Sequence, residues 1–327
     1  METGIIFVDR NVNKEETYAQ AVDLLRNGEV VAFPTETVYG LGADASNSEA
    51  VAKIFEAKGR PSDNPLIVHV DSKESALKYV QNVSSKALLC MDKFWPGALT
   101  LVLDAVPGAF APSVTAGLET VGVRVPNHPV ALNLLKRCGF PLAAPSANTS
   151  GKPSPTLAEH VYRDMDERIR LILDGGATEI GLESTVLDLT TDVPVILRPG
   201  NVTKEQLEAV LGTVHLPAEA GSGAPKSPGM KYMHYAPDAP VYMIENNPAL
   251  IDKAIAYIHS QGKEVALLSD REVTEADYSF PLSAETLYRS LRQCDDTEVD
   301  LILAAVPSGE AALMNRLEKA ADHKWFS

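Results

Sequence analysis

The chain has 327 residues, about twice the usual length of a domain, so we expect two domains. Its 29 basic and 44 acidic residues give a formal net charge of −15, and 45% of the residues are apolar. This composition is typical of an ordinary globular protein, and the acidic excess argues against stable direct binding to nucleic acid.

Membrane insertion, secretion and disulfide bonding are not indicated. The sequence contains no apolar run of roughly 18 to 20 residues, and its start lacks the basic and apolar segments of a signal peptide. Cys90, Cys138 and Cys294 are widely separated, which predicts buried, unreactive thiols. We therefore expect a cytoplasmic protein.

The first two hundred or so residues alternate β-rich and amphipathic runs, which predicts a mixed α/β fold. The predicted strands span residues 5–8, 30–33, 66–70, 99–103, 121–125, 171–173, 185–189 and 195–197. The predicted helices span residues 14–27 (N-cap Asn13), 48–57, 85–94 and 129–137, with a last one beginning at Lys204 after a capping-box pair of Thr203 and Gln206.

Residues 216–240 are crowded with Pro, Gly and Ala and read as a linker. Lys231, Tyr232, His234 and Tyr235 are unusual for a spacer, so we expect this segment to fold over another part of the molecule or a ligand; a linker lying on a domain surface is the alternative. Beyond it, three strand–helix units predict a small, doubly wound parallel sheet. The predicted domains are therefore 1–215, 216–240 (linker) and 241–327.

Polar residues follow the predicted strand 30–33. In PTETVYGLGADA, residues 34–45, Thr35, Glu36 and Thr37 could bind a small polar substrate, and Gly40 would allow a close backbone approach; a purely structural turn is the alternative. In KGRPSDNPL, residues 58–66, Lys58 and Arg60 suit a phosphate or carboxylate, although a solvated basic loop would look the same.

Arg124 lies in TVGVRVP, residues 120–126, a run that predicts a core strand. A buried arginine requires an anionic partner, because an unpaired buried charge is very costly. Two alternatives remain open at this point: the partner is Glu36 or Asp44, or it is the carboxylate of a ligand.

Further polar loops follow in PLAAPSANTSGKPSPT, GLESTVLDL and ILRPGNVT, residues 141–156, 181–189 and 196–203. The first lacks the P-loop pattern, since Ser146 stands where its first glycine is required, but its many small donors could still wrap phosphates. Ser184 and Arg198 come from the other two. Together the five loops predict one cationic cleft for a nucleoside triphosphate and a small carboxylate.

These segments, in this order, resemble the motifs of the YrdC-type threonylcarbamoyl-AMP synthases, and SPGMKYMHYAP resembles the linker motif of the family's two-domain form. The resemblance spans essentially the whole chain. It implies an N-terminal YrdC-like twisted mixed sheet with helices and a small C-terminal Rossmann-like parallel-sheet domain.

The resemblance also implies a nucleotidyltransferase that condenses L-threonine, bicarbonate and ATP to threonylcarbamoyl-AMP and pyrophosphate, for threonylcarbamoyladenosine in tRNA. Mg²⁺ is expected to arrive with ATP, without a dedicated protein metal site. The product is expected to pass to the tRNA threonylcarbamoyl transferase machinery.

The resemblance implies three groups of site residues. L-threonine and bicarbonate fall to Thr35, His69, Arg124, the Ala144 backbone and Ser184. ATP falls to Lys58, Ser62, Thr120, Ser146, Asn148, Ser154, Arg198 and Tyr235. The catalytic residues are Lys58, Arg60 and Arg124. Two other functions were considered: a carbamoyl-adenylate-forming carbamoyltransferase, and a non-catalytic nucleic-acid-binding module with the same fold.

Overall fold

The computed structural model describes residues 2–11, 14–217, 234–271, 275–306 and 309–326. These residues form two compact units. The first comprises residues 2–150 and 155–217, and the second comprises residues 234–326 together with the short segment 151–154. Most of the predicted linker, residues 218–233, lies outside the described residues, so the boundaries at 215 and 241 stay predictions.

The first unit is built on a mixed sheet of eleven strands in the described residues, as the sequence predicted. Along the sheet the order is β1-β9-β2-β3-β8-β4-β7-β6-β10-β11, and β5 pairs with β6. The strands are β1 (Gly4–Phe7), β2 (Val31–Phe33), β3 (Gly40–Asp44), β4 (Ile67–His69), β5 (Val80–Gln81), β6 (Leu99–Ala105), β7 (Thr120–Arg124), β8 (Leu142–Ala143), β9 (Leu171–Asp174), β10 (Thr185–Asp188) and β11 (Val195–Arg198).

Helices cover the sheet, and two apolar clusters fill the space between. Tyr18 and Leu25 of α1 belong to one cluster, and Ile54 of α2 and Met91 of α4 belong to the other. The helices of this unit are α1 (Glu15–Arg26), α2 (Ser48–Lys58), α3 (Lys73–Ala76), α4 (Ser85–Phe94), α5 (Pro112–Thr115), α6 (Pro129–Cys138), α7 (Ala158–Met165) and α8 (Lys204–Leu211).

Two details of the sequence interpretation need correction. Lys14 occupies the N-cap of α1, with no side-chain cap, whereas the predicted cap Asn13 lies outside the described residues. The acidic Glu15 and Glu16 follow in the first turn, where they complement the helix dipole. The motif at residues 34–45 is not a loop throughout, because residues 40–44 form β3 and pair antiparallel with β2. The polar loop is therefore confined to residues 34–39.

The second unit has four parallel strands in the order β12-β15-β13-β14, so the predicted small parallel sheet is confirmed. Its elements are β12 (Val241–Glu245), α9 (Pro248–Ser260), β13 (Val265–Ser269), β14 (Tyr278–Pro281), α10 (Leu287–Asp295), β15 (Leu301–Val306) and α11 (Ala311–Ala320). Alternate residues of β13 point to opposite faces, and both sets are buried, so helices cover both faces. The strand β14 was not predicted, because its residues are mostly exposed and lack an apolar run.

The three cysteines are buried, as predicted, and burial raises the pKa of each thiol to about 12. They are therefore protonated and unreactive at neutral pH. Across the described ranges, none of the helices combines the length and apolar character required to cross a membrane.

The predicted capping box of α8 is confirmed and can be tested. Thr203 Oγ1 accepts from the Gln206 amide, and Gln206 Oε1 accepts from the Thr203 amide. We expect Thr203→Ala to lower the free energy of unfolding by about 1 kcal/mol, because a backbone donor loses its partner. Urea unfolding followed by Trp95 fluorescence in a Trp325→Phe background measures this. Thr203→Ser keeps the hydroxyl and should retain the stability; an equal loss in both variants would contradict the role of the cap.

Candidate active site

The loop between β2 and β3 is folded around two threonine hydroxyls. Thr35 Oγ1 donates to the Val38 carbonyl at 2.7 Å and accepts from the Thr37 and Val38 amides. Because the Thr35 proton is used in this way, Thr37 Oγ1 donates to Thr35 Oγ1 across 2.9 Å. Thr37 Oγ1 in turn accepts a hydrogen bond from Arg124.

Arg124 is the last residue of β7, and its guanidinium is buried. Nη1 donates to Thr37 Oγ1 at 3.0 Å, Nε donates to the Gly97 carbonyl at 3.1 Å, and Nη2 lies 2.6 Å from Glu36 Oε1. Of the alternatives open at the sequence level, Glu36 is thus the partner within the chain, and Asp44 is not. Both side chains of the pair are about 4% exposed, so the interaction is screened little by solvent.

His69 lies beside Arg124 on the neighbouring strand, where the two residues are paired in register. Its ring is buried and packs edge-on against Phe33, with 6.3 Å between ring centroids. Burial first, and then the positive charge of Arg124, lower the pKa of His69 to about 3. The imidazole is therefore neutral at physiological pH, which suits hydrogen bonding to a substrate rather than ion pairing.

Lys58 ends α2 and reaches the loop after β8. Its ammonium donates to the carbonyl oxygens of Ser146 and Asn148, at 2.5 and 2.7 Å, while Ser150 donates its amide to the Lys58 carbonyl. Gly59 ends the helix with φ of 60°, a left-handed conformation that favours glycine. Only 2% of Lys58 is exposed, so this cation holds the donor-rich loop in place from inside.

Ser184 and Arg198 form a third cluster. The guanidinium of Arg198 donates to the Ser184 carbonyl from Nε and Nη2, and Nη2 also reaches Ser184 Oγ at 3.2 Å. Gly200, two residues after Arg198, lies against the backbone of Thr185. A Cβ at this position would lie 2.3 Å from the Thr185 amide nitrogen. The RPG sequence therefore needs glycine for this close approach of two chain segments.

These clusters are linked by hydrogen bonds and short stretches of chain, while the single cleft stays a prediction. Lys58 binds Ser146, which bridges to Gly40 at the start of β3. The loop before Gly40 provides Thr37 for Arg124. Arg124 binds Gly97, and the next residue, Ala98, accepts from the amide of Thr185, beside Ser184 and Arg198. The three buried cations thus lie on one continuous network of contacts.

The remaining predicted residues are placed as follows. The Ala144 amide donates to the carbonyl of Ile67, two residues before His69. Arg60 is half-buried, donates to the Asn64 carbonyl at 3.2 Å and lies over the Phe55 ring, and Ser62 is exposed in the same loop. Thr120 begins β7, four residues and about 13 Å of strand from Arg124, so it stands apart from that cluster.

Ser154 and Tyr235 belong to the second unit. Both are buried, and Tyr235 packs on Tyr288 of α10. Of the other residues named in this segment, His234 is half-buried with its ring centroid 5.5 Å from that of Tyr235, and Lys231 and Tyr232 lie outside the described residues.

Sequence reasoning missed Thr100 and Gly97. Thr100 Oγ1 lies 2.8 Å from Ser184 Oγ, and Gly97 accepts from Arg124 through its main-chain carbonyl. A threonine within the apolar run of β6 was the available signal for the first. No sequence signal could have revealed the second, because every residue carries the same carbonyl.

Comparisons with known proteins show the family to which this chain belongs. Residues 23–200 match the family model described as "Telomere recombination" (Sua5, YciO and YrdC), and residues 202–322 match that described as "Threonylcarbamoyl-AMP synthase, C-terminal domain". The chain is 52% identical to a threonylcarbamoyl-AMP synthase of Bacillus subtilis, over 93% of this chain and 92% of the relative. A Pyrococcus abyssi protein of the same name is 45% identical, over 93% and 94%. The crystal structure of P. abyssi Sua5 complexed with L-threonine superposes with a TM-score of 0.94 at 44% identity, covering 99% of both chains.

The depressed pKa of His69 makes a prediction about stability. The unfolded chain binds a proton near pH 6.5, whereas folded His69 binds one only near pH 3, so folding stability falls as the pH drops between these values. Between pH 7 and pH 5, this group should lower the free energy of unfolding of the wild type by about 2 kcal/mol. His69→Gln removes this titration, so the difference in the free energy of unfolding between wild type and variant should change by the same amount over that range. Urea unfolding at pH 7, 6 and 5 measures it.

His323, which is exposed in the second unit, provides the control. The substitution His323→Gln should leave the pH dependence of the Trp95 transition as in wild type. A His69→Gln profile parallel to that of wild type from pH 7 to pH 5 would contradict burial of a neutral imidazole.

Proposed function

This chain belongs to the threonylcarbamoyl-AMP synthase family of nucleotidyltransferases, and we propose that it makes threonylcarbamoyl-AMP and pyrophosphate from L-threonine, bicarbonate and ATP. The observation that carries the proposal is the continuous network joining the buried cations Lys58, Arg124 and Arg198. When a carboxylate reacts with a triphosphate, both reactants are anionic. The site therefore needs positive charge beside both of them more than it needs a protein nucleophile.

We assign the amino-acid end of the site to Arg124. Its guanidinium is oriented by Glu36, Thr37 and Gly97, so it can present N–H groups to the threonine carboxylate without changing its position. Neutral His69 and the Ser184 hydroxyl supply uncharged hydrogen-bonding groups. Thr35 is assigned to the same end, where its hydroxyl is bonded within its own loop and shapes that loop. A neutral imidazole is important here, because a second cation beside Arg124 would be repelled by it.

We assign the nucleotide end to Lys58, Arg198 and the loop that carries Ser146 and Asn148. Lys58 binds the carbonyl oxygens of Ser146 and Asn148, and so fixes the backbone that carries these two proposed nucleotide ligands. Ser184 is held by Arg198 and belongs to the threonine set, so it joins the two ends of the site. Ser62, Thr120, Ser154 and Tyr235 complete the proposed nucleotide set, and Arg60 lies nearest the carboxylation step.

The proposed chemistry has two steps. The threonine amine adds to bicarbonate with loss of water, forming N-carboxythreonine. An oxygen of the new carboxylate then attacks the α-phosphate of ATP, and the bond from that phosphorus to the bridging oxygen breaks as pyrophosphate leaves. Two anions must approach each other, so the cations on both sides of the junction lower the barrier by neutralising charge.

Mg²⁺ enters this proposal as part of the ATP substrate, since it keeps most of its waters and needs few protein ligands. The product is a mixed anhydride that a transferase would use to modify tRNA. We also propose a cytoplasmic location, and the three buried thiols support it, because unpaired cysteines are typical of a reducing compartment.

Pyrophosphate release provides the test. With ATP, Mg²⁺ and each amino acid in turn, we expect release that requires both threonine and bicarbonate. Arg124→Ala should reduce the rate at least about 100-fold, because it removes the cation at the threonine carboxylate. It also leaves Glu36 buried without its partner, which destabilises the protein. Arg124→Lys keeps the charge but loses the planar fork, and it should remain folded with about a tenfold loss.

Arg163 on α7 is the matched control, since its guanidinium is half-exposed and pairs with Glu159 on the same helix. Arg163→Ala should keep the wild-type rate. Pyrophosphate release that proceeds equally without bicarbonate, or with any amino acid, would contradict the proposed reaction.

A further inference from the structure

Four residues of the first half of the chain, 151–154, pack as part of the second unit. Their neighbours on both sides belong to the first unit: the Ser150 amide donates to the Lys58 carbonyl at 2.9 Å, and the Tyr39 amide donates to the Pro155 carbonyl at 2.9 Å. The segment includes Ser154, one of the proposed ATP ligands. The contacts that hold this segment therefore set the position of a proposed ATP ligand.

Three contacts inside the second unit hold the segment. The Ala236 amide donates to the Gly151 carbonyl at 2.9 Å, Lys152 pairs with Asp238 at the surface, and Arg292 Nη2 donates to the Pro153 carbonyl at 2.6 Å. The surface pair is partly exposed and contributes little. Arg292 is buried, and a charged donor to a carbonyl away from water makes a stronger bond. Arg292 is thus the main side-chain anchor of the segment.

The same helix also holds Tyr235. Tyr288 precedes Arg292 by four residues on α10, so the two side chains lie on one face of the helix. The rings of Tyr235 and Tyr288 pack with 5.1 Å between centroids, and both residues are buried. Tyr235 has φ of 67°, an unfavourable conformation for a residue other than glycine, so surrounding packing must enforce it.

We propose that the Tyr288–Arg292 face of α10 is a positioning element for adenylation: Arg292 sets the segment carrying Ser154, and Tyr288 sets Tyr235. This rests on the proposed function, in which Ser154 and Tyr235 bind ATP. One face of one helix thereby fixes two nucleotide ligands that are about 80 residues apart in sequence. Tyr288 and Arg292 are therefore positioning residues, which act through Tyr235 and through the segment that carries Ser154.

The proposal is tested by steady-state kinetics and by direct ATP binding with the full-length chain. Arg292→Met keeps the aliphatic stem and removes every N–H donor. We expect KM for ATP, and Kd for ATP by calorimetry, to rise about tenfold, which corresponds to about 1.4 kcal/mol. KM for threonine should stay within twofold of wild type. Arg292→Lys retains one charged donor and should recover part of the ATP affinity.

Arg289 is the matched control, since it is exposed on the same helix. Arg289→Met should leave both KM values unchanged. For the second anchor, Tyr288→Leu should raise KM for ATP, whereas Tyr288→Phe keeps the ring against Tyr235 and should stay within twofold of wild type. The Phe variant, like Arg292→Lys, keeps the test available if the larger changes prevent folding.

Several results would overturn the proposal. One is an Arg292→Met protein whose KM for ATP stays within twofold of wild type. Another is a loss of threonine and ATP affinity to the same extent, which would make Arg292 merely structural. Failure of the proposed function looks different: wild type itself would release no pyrophosphate in response to threonine and bicarbonate. In that case the Kd for ATP of wild type and Arg292→Met, measured by calorimetry, still tests the role of α10.

Discussion

A guanidinium buried in the middle of a sheet is the constraint on which the site depends. Burying an arginine is costly unless its charge is paired and its donors are satisfied. At Arg124 the charge is paired with the Glu36 carboxylate, and Nη1 and Nε donate to the Thr37 hydroxyl and the Gly97 carbonyl. Two separate segments, the loop after β2 and the residues before β6, must therefore hold their positions around β7. The polar loop after β2 is ordered because of this charge, and not by its own turn residues alone.

The same charge sets the chemistry of its surroundings. Arg124 helps to keep His69 neutral, so the proposed amino-acid end of the site combines one cation, paired with Glu36, and an uncharged imidazole. Lys58 and Arg198 instead use their donors on main-chain carbonyls of loops that follow strands. In the proposed site these two cations fix the shape of the nucleotide end while contributing positive potential. A site of this kind can bind two anionic substrates side by side even though the whole protein is strongly acidic.

Much of this arrangement could be predicted from sequence, because the informative residues sit in short motifs next to apolar runs. Lys58, Arg124 and Arg198 were all predicted, and so was the need for a buried partner of Arg124. The choice of Glu36 over Asp44 could not be made, since it depends on how the loop after β2 folds back over the sheet. The strand β3 was missed, because GLGAD has two glycines and no β-branched residue. Contacts through main-chain carbonyls, such as those of Gly97 and Ser146, leave no trace in the side-chain pattern.

The grouping of residues 151–154 with the second unit changes how this protein can be dissected. Neither unit is a continuous stretch of sequence, since the chain leaves the first unit after Ser150 and re-enters it at Pro155. A fragment ending at residue 215, before the linker, would retain Gly151 and Pro153 but lack the amide of Ala236 and the guanidinium of Arg292 that hold their carbonyls. Inactivity of such a truncated chain would therefore not identify the linker as the essential part. Point substitutions on α10 distinguish the contribution of the linker from that of the contacts to residues 151–154, which truncation removes together.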